Sequence, residues 1–189
     1  LKLKSIYRSQ SKTSKLSKSI KFEEIPIFIK NILKENKKLI ISYLGNEIIY
    51  ETPIAWRLFH IDEEYEGFDI FSNVWHQDSH DGNRLLKIFV LINKVDLDDG
   101  PFHWIEEKQT KKNWNTLYER WTFDSFYGPK IYSAQKKLIG NKGDYLILDT
   151  SRCMHRDSNP IKTRNIVQIT LYPKWRSNKF RNNLNLKDL

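Results

Sequence analysis

The sequence predicts a mainly β protein with flanking helices, built as a closed or double-sheet β architecture. Three observations predict it. Short apolar runs recur along the chain at regular spacing; turn signals such as Gly45-Asn46, Asp99-Gly100-Pro101 and Gly140-Asn141-Lys142-Gly143 separate them; and a helical start signal with helical spacing behind it stands near the N-terminus. At 189 residues the chain fits one domain with a sizeable core.

Taken in order, residues 1–21 are Ser- and Lys-rich without hydrophobic periodicity and read as a basic, flexible arm. In the next segment Glu23, Glu24 and Pro26 precede apolar residues at 25, 28, 29, 32 and 33, which is a helix start followed by helical spacing. Runs at 39–44, 54–61 and 68–74 read as strands, separated by Gly45-Asn46 and by the acidic stretch 62–67. Residues 85–95 form the clearest apolar strand, ended by the turn residues 96–101. Residues 104–121 read as helix and loop inserted between two halves of the β core. Further strands are expected at 130–133, 136–139, 145–149 and 165–172. The expected layout is therefore an arm at 1–21, a single domain at 22–175 and a basic tail at 176–189.

Composition narrows the class. Hydrophobic residues make up 39% of the chain and aromatic residues 13%, as in a globular protein. A single cysteine excludes an internal disulfide and makes the cytoplasm the expected compartment. No apolar run is long enough to span a bilayer. The chain begins at Leu1 and its only methionine is Met154, so the natural start is expected upstream. Of the net charge of +9, residues 1–21 carry +7 and residues 174–189 carry +4, leaving the body at −2. A nucleic-acid-binding body would carry its own basic groove, so basic ends alone argue against that partner.

The chemistry concentrates in Val74-Trp75-His76-Gln77-Asp78. If residues 70–78 form a strand, the period of two puts His76 and Asp78 on one face. That spacing supplies two members of a facial triad of two histidines and one carboxylate, the set that holds Fe(II) with open coordination positions. His155 is the best third ligand: it follows the strand-like run 144–149 and precedes the turn signal Ser158-Asn159-Pro160. His80 would share the face of His76 and Asp78 if the alternation continued, which makes it a rival; Asp81-Gly82-Asn83 begins a loop there and favours a place at the pocket rim.

Together with its surroundings this set resembles the phytanoyl-CoA dioxygenase-like branch of the Fe(II)- and 2-oxoglutarate-dependent oxygenases. The resemblance runs from Ser72 to Tyr172. It rests on Trp75-His76-Gln77-Asp78, Leu86-Lys87-Ile88-Phe89-Val90, Asp99-Gly100-Pro101-Phe102, Gly143-Asp144, Asp149-Thr150, His155-Arg156 and Arg164 in that order. It implies a double-stranded β-helix, a jelly roll of cupin-like type, with the metal inside one open end. It also implies Fe(II), 2-oxoglutarate and O2 as reactants, His76, Asp78 and His155 as iron ligands, and hydroxylation of a C–H bond with release of succinate and CO2. Because Asp78 occupies the carboxylate position, hydroxylation is expected rather than halogenation.

The co-substrate's far carboxylate needs a fixed cation, and Arg164 fits, because a hairpin turning at 158–161 brings it back alongside His155. The family places a small hydroxyl residue two positions after this arginine, where the chain has Ile166. Lys87 interrupts an apolar strand and either contacts the co-substrate or points outward. Trp75 fits a pocket wall or the core, His103 the mouth of the site, and Cys153 a structural thiol. Two other readings use the same residues: a cupin-like metal enzyme without 2-oxoglutarate, and a non-catalytic binding module whose basic ends make the contacts.

Overall fold

The computed structural model describes residues 15–62, 72–78, 84–112 and 133–185. Its strands are β1 (Lys15–Ser19), β2 (Ile48–Glu51), β3 (Ile54–Leu58), β4 (Leu86–Leu91), β5 (Phe102–Trp104), β6 (Lys136–Leu138), β7 (Tyr145–Leu148), β8 (His155–Arg156), β9 (Arg164–Pro173) and β10 (Arg181–Leu184). Its helices are α1 (Ile27–Glu35), α2 (Lys37–Leu44) and α3 (Glu107–Lys112). Among the described residues the strands make a seven-stranded sheet and a three-stranded one ordered β6-β5-β8.

The large sheet is built outward from β9. One edge of β9 pairs antiparallel with β3 at Arg164–Gln168 and with β2 at Leu171–Pro173. Its other edge pairs with β4, in a register that sets Ile88 against Ile169, and β4 in turn pairs with β7. The period of two then sorts the side chains. Leu86, Ile88 and Val90 of β4, with Val167, Ile169 and Leu171 of β9, join one buried cluster with Ile29, Ile32, Leu33, Ile40 and Leu44 of α1 and α2. Each such isoleucine or leucine taken fully out of water stabilises the fold by about 1.5–3 kcal/mol. The alternate residues Phe89, Leu91 and Ile166 form a second cluster with Phe102, Leu138, Leu148 and Cys153, so a separate core lies between the large sheet and the small one. The result is a curled, two-sheet β protein with α1 and α2 packed on one outer face.

Residues 39–44, expected as a strand, lie in α2 instead. Ile40 and Leu44, four apart, are both buried in the helix-side cluster, and that burial outweighs the β-branched composition. Gly45 stops the helix at φ +95°, with its N–H bonded to Ile41 O at 2.8 Å. Asn36 lies between the two helices and ties them to the sheet, its Nδ2 donating to Ile32 O at 2.8 Å and to the Tyr145 hydroxyl at 2.9 Å.

Both basic ends contribute strands. Within the expected arm, Lys15–Ser19 pairs antiparallel with β3; within the expected tail, Arg181–Leu184 pairs with β2. These strands are polar because they lie at sheet edges, and a polar edge gives no apolar run for a sequence to show. Arg181 anchors the last strand: its Nε and Nη2 reach Glu51 Oε1 at 3.1 and 3.0 Å, and its guanidinium stacks 3.6 Å from the Tyr172 ring centroid. Residues 68–71 and 130–132 of the expected strands, and the aromatics Trp114, Tyr118, Trp121, Phe123, Phe126 and Tyr127, lie outside the described residues. No helix among the described residues is long and apolar enough to cross a membrane.

Candidate metal centre

The segment around His76 lies alongside β8. His76 N–H donates to His155 O at 3.0 Å and His155 N–H to His76 O at 2.9 Å, a reciprocal antiparallel bridge. Two residues on, Asp78 N–H donates to Thr150 O at 2.9 Å. A continuous strand over 70–78 was the sequence expectation; the described part, 72–78, carries the single bridge at His76. The two backbone bonds, at positions of the same parity, still turn His76 and Asp78 to one side. His76, Asp78 and His155 each offer a ligand atom, all within 4.8 Å of one another, and the residues are 7%, 5% and 3% exposed. The three side chains expected to converge therefore do so.

Both imidazoles are held by the chain close to them. His76 Nδ1 lies 2.8 Å from Val74 O, and His155 Nδ1 lies 3.1 Å from Cys153 O. A carbonyl accepts only from a protonated nitrogen, so each ring is set as the Nδ1–H tautomer with Nε2 as its ligand atom. Phe102 stacks on the His155 ring at 5.6 Å, and the two histidine rings lie 4.3 Å apart.

Lys87 lies in this group. Its Nζ is 2.7 Å from Asp78 Oδ2, which is also 3.5 Å from His155 Nε2. Burial opposes ionisation of Asp78, but the charges of His155 and Lys87 outweigh it and hold the carboxyl well below the usual carboxylate range. Burial also lowers His155 itself, and of the two groups Lys87 stands the nearer to Asp78, at 2.7 against 3.5 Å.

These groups open on a cavity of about 380 Å³, walled on its apolar side by Trp56, Phe89 and Phe102 and bordered by Ser72, Gln168, Lys15 and Asp157. That volume suits a small organic molecule. The period of two explains the lining: Lys87 and Phe89 of β4, and Gln168 of β9, lie on the face turned away from the helices.

Arg164 begins β9 and is 1% exposed. Its Nη1 donates to Gly100 O at 2.6 Å and its Nη2 to Asp157 Oδ1. Arg164 thus stands behind Asp157, and Asp157 faces the cavity. Burial acts against the Asp157 charge, but Arg164 and Lys15 hold its carboxyl below the usual range. Lys15 Nζ lies 4.0 Å from Asp157 Oδ2 and 3.7 Å from the Trp56 ring centroid. Neither Asp157 nor Lys15 was singled out from sequence. The available signal for Asp157 was its spacing of two from His155; Lys15 comes from an edge strand and had none.

The remaining candidates separate from the site. Trp75 packs with Ile105 and Met154 in a small cluster of its own. His103 is buried, 6.3 Å from the Trp75 ring, and burial together with the nearby cations Arg156 and Lys137 pushes it down to about 3. Cys153 sits in the inter-sheet core, where burial raises its thiol to about 11. His80 lies outside the described residues.

No protein-family model matches the chain, and no curated protein matches it in sequence. Solved structures do. HygX from Streptomyces hygroscopicus, with nickel, 2-oxoglutarate and hygromycin B bound, superposes at a TM-score of 0.55 and 12% identity, over 90% of this chain and 78% of HygX. Its iron-bound form matches at 0.55 and 13%, over 90% and 77%. The epimerase SnoN, in complex with Fe3+, alpha ketoglutarate and nogalamycin RO, matches at 0.55 and 11%, over 85% of this chain and 64% of SnoN. The chain has a jelly-roll fold. At these identities the likeness is one of fold.

Proposed function

We propose that the chain is an Fe(II)- and 2-oxoglutarate-dependent oxygenase of the phytanoyl-CoA dioxygenase-like kind, hydroxylating a C–H bond of a small organic substrate. The observation that carries the proposal is the buried group of His76, Asp78 and His155, whose ligand atoms lie within 4.8 Å of one another beside a cavity. The metal and 2-oxoglutarate held by HygX, and the iron and alpha ketoglutarate held by SnoN, support it.

The donor set fits the metal. Two imidazoles with Nδ1 already bonded to carbonyls and one ionised carboxylate make the two-histidine, one-carboxylate set that suits non-haem Fe(II). Bound there, Fe(II) supplies the activation of O2 coupled to oxidative decarboxylation of 2-oxoglutarate to succinate and CO2.

The chain's own residues do the rest. Val74 O and Cys153 O fix the ring planes of His76 and His155, Lys87 helps to keep Asp78 charged, and Phe89, Phe102 and Trp56 keep bulk water from the reacting side. Arg164 is the fixed cation assigned to the co-substrate's far carboxylate, and Lys87 is the second cation available to it.

Anaerobic addition of Fe(II) and 2-oxoglutarate tests the reading. A weak visible charge-transfer band is expected, absent in His76→Ala. No band and no iron affinity in the wild-type chain would overturn it. Iron binding without succinate release would favour a cupin-like metal enzyme that does not use 2-oxoglutarate.

A further inference from the structure

The cavity carries a feature that the oxygenase reading leaves unused: a carboxylate of the protein held at its border between two cations. Asp157 Oδ1 takes Nη2 of the buried Arg164, while Oδ2 faces Lys15 Nζ at 4.0 Å. The Asp157 backbone is pinned as well, its N–H donating to Ser72 O at 2.9 Å. Arg164 has its other Nη on Gly100 O, so both terminal nitrogens of its guanidinium already have a partner, while Nε is buried without one. Asp157 therefore makes with Arg164 and Lys15 the kind of contact that a ligand carboxylate would make.

Resting on the oxygenase reading, we propose that Asp157 is an internal competitor for the far carboxylate of 2-oxoglutarate, and that Lys15 of the N-terminal strand is a further binding residue for that carboxylate. A dicarboxylic co-substrate brings a second negative charge to a border where Asp157 already holds both cations, and like charges so close repel. Its binding requires Asp157 to yield Arg164 or Lys15. Asp157 thereby sets the affinity for the co-substrate and penalises any acid unable to displace it. Lys15 is suited to the exchange, because its ammonium, over the Trp56 ring at 3.7 Å, stands on a flexible four-carbon stem that lets it follow either carboxylate.

The test is anaerobic titration of the full-length Fe(II) protein with 2-oxoglutarate, and separately with pyruvate, which lacks the far carboxylate. Asp157→Asn keeps the shape and a hydrogen-bond acceptor for Arg164 but loses the charge. It should tighten 2-oxoglutarate binding by about tenfold, while Lys15→Met should weaken it by about as much. Pyruvate affinity and Fe(II) affinity should stay within about twofold in both variants, the Fe(II) titration also verifying that each has folded. Unchanged or weaker 2-oxoglutarate binding in Asp157→Asn, unchanged binding in Lys15→Met, or equal shifts for pyruvate would overturn the inference alone. Failure of the wild-type chain to bind 2-oxoglutarate would overturn the oxygenase reading and this inference with it.

Discussion

His76 and His155 are joined through their backbones as well as facing one another: each donates its N–H to the other's carbonyl, at 3.0 and 2.9 Å. The bridge belongs to the main chain and survives loss of either ring. His76→Ala and His155→Ala should therefore each lower Fe(II) affinity by roughly a hundredfold or more while the folded structure persists. Metal titration beside a thermal melt checks this, and a variant that unfolds would show that the rings hold the bridge in place.

Lys87→Met removes the cation beside Asp78 and leaves a buried carboxylate without it. Breaking such a pair should cost about 3 kcal/mol in the metal-free protein, lowering Tm by roughly 5–10 °C. The same change removes a positive charge that competes with a metal ion for Asp78, so Fe(II) should bind more tightly. Melting with and without Fe(II) reads both effects, and the metal-induced rise in Tm should be larger in the variant than in the wild type.

His103 links stability to pH. Its folded value of about 3 lies below the ordinary histidine value, so the unfolded chain binds a proton first. The stability it contributes is complete above about pH 6.5 and is lost as pH falls from there towards 3, by up to about 1.4 kcal/mol per pH unit. His155, also lowered by burial, acts in the same direction. Urea denaturation between pH 7 and pH 4.5 should show a shallower dependence in His103→Phe than in the wild type.

Gly100→Ala should be disruptive out of proportion to its size. Gly100 sits at φ +64°, and a Cβ there would lie 2.6 Å from Ser158 O and 2.7 Å from Pro160 N, both backbone atoms. Strain of about 1–3 kcal/mol is expected from the conformation alone, before the loop at 158–160 gives way. Because the Gly100 carbonyl also receives Arg164, the variant should lose 2-oxoglutarate affinity together with stability.

Ending the chain at Ser177 removes β10, its pairing with β2, the Arg181–Glu51 contact and the buried Leu184. A loss of about 2–4 kcal/mol is expected, with Fe(II) affinity retained, since β10 and the metal ligands share no pairing. Denaturant melts and metal titration of the shortened chain check both parts.

The three candidate ligands were legible because their chemistry is local: His76 and Asp78 share parity across two residues, and His155 stands between a strand and a turn. The strands β4, β7 and β9 were legible for the same reason, each carrying a dense set of apolar residues within a short run, largely buried in β4 and β9 and partly so in β7. Residues 39–44 were misjudged because Ile40 and Ile41 carry β propensity, although the burial of Ile40 with Leu44 and the stop at Gly45 are helical signals. The edge strands β1 and β10 were hidden, since polar residues paired on a sheet edge look like tail. Asp157 and Lys15 were missed because their meeting depends on β1 lying against β3, a pairing across about 40 residues that no local pattern encodes.

The bridge between His76 and His155 closes a loop of about 80 residues. An ion clasped between those two rings would act as a reversible staple across that loop, drawing on the entropy that the open chain would regain. Starving such a protein of iron would then do more than silence its chemistry: it would slacken the seam between its two halves and expose the chain to proteases.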